Sequence, residues 1–130
     1  MNLNVAFSEI NDIINKKLII SPWSLVYKDQ HTIQIKRKIQ IPFTKDIDVT
    51  VNRIDGSDIY LNVNIEAINT LLGIVKKLPF EGLNMIETLD NCIILHLDKN
   101  KKLAHTMDHI ILQDISFNEE NAIIKFMSKL

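Results

Sequence analysis

The chain has 130 residues, 46% of them hydrophobic, and sets 15 Lys plus Arg against 16 Asp plus Glu for a formal charge of −1. That length is one domain able to bury roughly two-thirds of its unfolded surface, and the apolar content, with only 3 Gly and 3 Pro, excludes a disordered chain. The balanced charge lacks the clustered cations that neutralise phosphates, which argues against nucleic acid, and the single cysteine, Cys92, excludes an internal disulfide and any multi-cysteine metal site.

The opening "MNLNVAFSEI" has neither a basic start nor a continuous apolar core, so it does not read as a signal peptide. No segment approaches the ~18 apolar residues of a membrane span. The chain therefore reads as cytoplasmic, unless an N-terminal signal or anchor lies outside it. Leu3, Val5 and Phe7 alternate as a strand, and Ser8 is suited to cap a helix with Ile10, Ile13, Ile14 and Leu18 on one stripe, which Pro22 ends. Trp23 stands at the entry to a first run of strands, as a core or an interface residue.

These strands form a meander: "SLVYKD", "HTIQIKRKIQI", "DIDVTVNRI", the turn "DGSD" and "IYLNVNI". Its second strand carries Ile33, Ile35, Arg37, Ile39 and Ile41 on one face, with an arginine where the alternation asks for an isoleucine. If Ile41 pairs with Ile47 across "PFTKD", Arg37 falls opposite Val51 and Arg53 opposite Ile35, making the chain's only arginines diagonal neighbours on one covered face. An unpaired buried charge costs several kcal/mol. The compensation is an internal carboxylate such as Glu9 or Asp12, a bound anion gripped by the planar guanidinium, an open face where both side chains reach water, or a bulge or edge strand that alters the register.

Residues 61–76, "LNVNIEAINTLLGIVK", align without a gap on residues 3–18, "LNVAFSEINDIINKKL". Leu3, Asn4, Val5, Ile10 and Asn11 recur as Leu61, Asn62, Val63, Ile68 and Asn69, so a duplication with half-repeats 1–60 and 61–127 competes with chance similarity. The second copy predicts a strand through Leu61, Val63 and Ile65 and a helix through Ile68, Leu71, Leu72 and Val75, stopped by Pro79. The stretch "EGLNMIETLDN" reads as a short helix through Leu83, Ile86 and Leu89 or as an irregular connection. Then come "CIILHL", "HIILQDISF", the turn "NEEN" and "AIIKFM" as strands. Cys92 reads as a buried, inert thiol, and His96 lies on a sheet's polar face. His105 and His109 have the spacing of a helical ligand pair, but the default for "HTMDH" is a solvated connection.

The outline is α+β: curved antiparallel sheet, in one piece or two, with two amphipathic helices on one face, in a single domain over residues 1–130. Gly56, Gly73 and Gly82 are too far apart for a phosphate loop, no nucleophile signature stands out, and no cofactor is implied, so the chain does not read as an enzyme.

The stretch "VAFSEINDII", an extended strand running into a Ser-Glu helix start, with long amphipathic strands after it, resembles small bacterial tubular lipid-binding (TULIP-like) domains. The resemblance implies a curved sheet wrapping a helix around an apolar groove. The function expected is non-enzymatic binding of an apolar or amphiphilic ligand with an anionic head, such as a lipid. Arg37 and Arg53 would meet the head, and Ile33, Ile35, Ile39 and Val51 would line the tail's path. The alternative is a protein interaction or structural module, a homodimer or a component of a larger assembly, formed through apolar strands such as "HIILQDISF" and "AIIKFM".

Overall fold

The computed structural model describes residues 1–17, 23–37, 46–63, 85–89, 91–99 and 101–129. The protein is α+β, with two antiparallel sheets and two short α-helices among the described residues. Strand β1 (Asn2–Ala6) leads into helix α1 (Phe7–Lys17), and β2 (Trp23–Asp29), β3 (Thr32–Arg37), β4 (Ile47–Asp55) and β5 (Asp58–Val63) come after it as a meander. After β6 (Ile86–Leu89) and β7 (Cys92–His96), a 3-10 turn at Leu97–Lys99 precedes helix α2 (Lys101–Met107) and the hairpin of β8 (Ile110–Phe117) and β9 (Asn121–Ser128). The larger sheet runs β2-β3-β4-β5-β7-β6, and the smaller runs β1-β9-β8. The first strand of the chain thus pairs with the last.

The expected helix at 68–75 and its stop at Pro79 lie outside the described residues, as do Pro22, Ile39, Ile41, Ile65, Gly73 and Gly82. The aligned strands of the candidate repeat sit in unlike places: β1 is an edge strand of the small sheet, whereas β5 lies between β4 and β7 in the large one. Of "EGLNMIETLDN", residues 81–84 and 90 lie outside the described residues, and Ile86–Leu89 is a strand paired with β7 rather than a helix or an irregular connection, its period-2 contacts supplied by a neighbour the local sequence does not reveal. Residues 101–107 are helical rather than an irregular connection: His105 and His109 are exposed, as expected of a solvated segment, while Met107 buries itself against Ile59 and Leu112 and thereby anchors the turn.

Three bulges decide which side chains face inward. In β4 the inward row is Ile47, Val49 and Val51; Asn52 is then an extra residue, so the row resumes at Ile54, opposite the buried Ile59. In β8 Gln113 does the same, moving the inward row from Leu112 to Ile115 and Phe117. Lys28 is the extra residue of β2. The core has three linked clusters: Ile35, Ile47, Val49, Val63 and Ile93 of the large sheet, with Ile10 of α1 packed on them; Phe7, Phe117 and Ala122, packed against Val51 and Ile33 of the large sheet; and Ile59, Met107 and Leu112, where the two sheets also meet. Phe7 and Phe117 meet with ring centroids 6.1 Å apart and planes tilted by 36°, a favourable arrangement for aromatic quadrupoles.

Backbone groups tie the layers together. The side-chain amide of Asn11 treats β2 as a strand would: its Nδ2 donates to Leu25 O at 3.2 Å and its Oδ1 accepts from Leu25 N at 2.6 Å, covering the sheet edge with α1. The β2–β3 turn joins both sheets, because Gln30 O accepts from Phe117 N of β8 at 2.7 Å while His31 O accepts from Val51 N at 2.8 Å.

Candidate functional site

The arginine pair expected from alternation does not form. Strand β3 meets β4 with Ile35 opposite Ile47, Ile33 opposite Val49 and Thr32 opposite Thr50, six residues away from the register that put Ile35 opposite Arg53. A shift by an even number leaves every side chain on its original face, so period-2 alternation could not distinguish the two registers. Thr32 and Thr50 help select the observed one, with hydroxyls 2.9 Å apart across the strands. Arg37 ends β3 opposite Trp23 of β2; its side chain lies outside what the structure describes. Arg53 is exposed, carried to the outer face by the Asn52 bulge, and its guanidinium stacks 4.1 Å from the ring centroid of Tyr60, its cross-strand partner. Of the compensations considered for it, the bulge is the one realised.

The residues expected to line a tail's path have core positions. Ile35 is buried, and Ile33 and Val51 are half-buried against the same clusters; Ile39 lies outside the described residues. Among the described residues, the core-facing row of the small sheet nevertheless reaches solvent at β1. Leu3 and Val5 of β1 pair with Ile124 and Ala122 of β9, and Ala122 is buried in the core, so Leu3 belongs to the core-facing row. Leu3 is still 52% exposed and Met1, beside Phe126, is 67% exposed. Ile124 and Phe126 continue inward to the buried Leu112. An apolar strip through Leu3, Ile124 and Phe126 therefore runs from solvent into the core.

A polar cluster occupies the outer face of the large sheet, and its members are far apart in sequence. His96 on β7 lies with Nδ1 2.7 Å from Asp58 Oδ1 on β5 and Nε2 2.7 Å from Glu87 Oε2 on β6. Asp58 is its direct cross-strand partner and Glu87 its diagonal one. Sequence placed His96 on a polar face but showed nothing of its two partners, because β6 was not legible as a strand. The hydrogen bond to Glu87, then that to Asp58, raises the pKa of His96 above the ordinary value, against an opposing effect of burial and of the Lys99 charge. With both ring nitrogens engaged by carboxylates, His96 has no free lone pair to serve as a general base.

The other candidates are simpler. His105 and His109 meet edge to face, 5.1 Å between centroids, and among the described residues no group of three or more His, Cys, Asp or Glu is arranged to hold a metal ion. Cys92 is half-buried rather than buried, with Sγ 3.9 Å from Ile93 O, since its row on β7 lies next to the short edge strand β6. Lys28 and Gln34 both engage the carboxylate of Asp48 on the exposed face of β2–β4. No helix among the described residues is long and apolar enough to cross a membrane.

No protein family's sequence profile matches the chain, and neither a curated protein nor a solved structure matches it.

Proposed function

We propose that the protein is a non-enzymatic binder of an apolar or amphiphilic molecule, taken up between the two sheets at the end where β1 meets β9. The observation that carries this reading is the exposure of Leu3 on the core-facing side of the small sheet, continuous with Ile124 and Phe126. An inward-facing leucine left half in water forgoes burial worth roughly 1.5 kcal/mol or more, which an acyl chain or similar apolar group laid along the strip would supply. Arg53, stacked on Tyr60 on the outer face, has no part in such a site.

Mass spectrometry of the gently purified protein, native and after organic extraction, tests the reading through a co-purifying amphiphile. Titration with a fluorescent fatty acid then gives the affinity, and Leu3→Asp is expected to weaken it at least about tenfold, the usual cost of a charge set against an apolar tail, with little loss of stability. Equal binding by wild type and Leu3→Asp removes the strip from the site. A second reading, an interface with another polypeptide, is favoured by Ile111 and Met127, an exposed cross-strand pair on the opposite face of the small sheet. Light scattering that finds a dimer in wild type and a monomer in Ile111→Lys would favour it.

A further inference from the structure

The polar cluster on the large sheet has a role unrelated to ligand uptake. Strand β6 has four residues and ends the sheet, bonded on one side to β7. Leu89 at its end is exposed, and Ile86 is only half-buried. Met85 before the strand is buried and Ile86 packs on the core, so the part with little apolar anchoring of its own is the exposed stretch Glu87–Leu89. Glu87 supplies a different attachment through His96 to Asp58, so one imidazole fastens three adjacent strands.

Both ring nitrogens face carboxylate oxygens at 2.7 Å. A carboxylate only accepts, so both nitrogens must donate, and only the imidazolium has two N–H groups. Neutral His96 keeps one donor and turns a lone pair toward the other carboxylate. The two carboxylates are unequally placed: the Glu87 side chain is 57% exposed and that of Asp58 30%. Glu87 is the one that water can solvate.

We propose that protonation of His96 is a clip for the edge strand β6, and that its deprotonation releases Glu87 and loosens β6 from β7. Among the described residues the charged groups around the ring are Glu87 from β6, Asp58 from β5 and Lys99 from the 3-10 turn, with Tyr60 and Arg53 the next polar residues along the same face. Because the folded pKa of His96 is raised, the clip is fully closed below the ordinary histidine value of about 6.5 and opens as pH rises through the folded value. The proposal is independent of the binding reading, since the cluster lies on the other face of the large sheet from the core.

Amide hydrogen exchange of the full chain, corrected for the intrinsic pH dependence of exchange, resolves the segment 86–89 from β8 and β9. Protection of 86–89 is expected to fall about tenfold between pH 6 and pH 9, the scale of one lost charge-assisted hydrogen bond, in step with the His96 ring titration followed by NMR. Protection in β8–β9 should stay level over the same range. Glu87→Gln, at an exposed edge position, keeps the fold, lowers the His96 pKa and flattens the pH dependence of 86–89. Three results overturn the proposal: protection of 86–89 that does not change while His96 titrates, an equal change in β8–β9, or a Glu87→Gln protein with the wild-type profile.

Discussion

Asn11→Ala isolates the seal between α1 and the large sheet. Its side-chain amide makes two hydrogen bonds to the N–H and C=O of Leu25, on the side of β2 away from β3. Truncation leaves that donor and acceptor without their partner in a half-buried setting, where each unmade bond costs about 1 kcal/mol after water has partly replaced it. The expected loss is therefore about 2 kcal/mol, which for a chain of this length lowers Tm by roughly 6–10 °C. Urea unfolding at fixed pH is the assay, with the slope m compared between the two proteins to verify that the change is one of stability. Asn11→Asp serves as the companion, since it keeps the acceptor for Leu25 N but loses the donor to Leu25 O and sets a negative charge near that carbonyl. It should be destabilised by a similar amount. The uncovered edge of β2 should also make Asn11→Ala more prone to self-association than wild type. A loss under about 0.5 kcal/mol, the size of an ordinary surface substitution, would refute the argument that this amide completes the sheet edge.

Two other substitutions probe single physical effects. Gly56 opens the β4–β5 turn with φ +63° and open space where a Cβ would stand, so Gly56→Ala should lose about 1 kcal/mol in urea unfolding from backbone strain alone; no loss would mean that the turn relaxes to a negative φ. Arg53→Met should cost no more than about 1 kcal/mol, the value of an exposed cation–π contact, and should leave fatty-acid affinity unchanged, whereas a weakened affinity would return Arg53 to the binding site.

The residues of the candidate sites show where local information ends. Alternation assigned faces to Ile33, Ile35, Ile47, Val49 and Val51, and those assignments hold because a half-buried strand must segregate its side chains whichever neighbour it meets. The same alternation placed Arg37 and Arg53 together through a register that is wrong by an even number, an error to which a period of two is blind. Arg53 looked like a charge on an apolar face only because the count ran through Asn52 without the bulge. The His96 cluster was invisible for another reason: it joins residues 58, 87 and 96, and the edge strand β6 that carries Glu87 has no alternation strong enough to announce itself.

By itself the sequence determined the α+β class, the presence and order of β1, α1 and the meander strands, and the turns at Gly56 and Asn118, because those features rest on apolar periodicity and on residues with local backbone preferences; it did not show that Phe7 opens the helix instead of ending the strand. Only the tertiary structure decided that the strands form two sheets rather than one, that β1 joins β9 across the length of the chain, and that bulges turn Arg53 outward. It also brought Asp58 and Glu87 to either side of His96. These outcomes depend on which long-range partner best buries each face and satisfies each backbone edge, a choice made by the assembled chain and written in no short stretch of it.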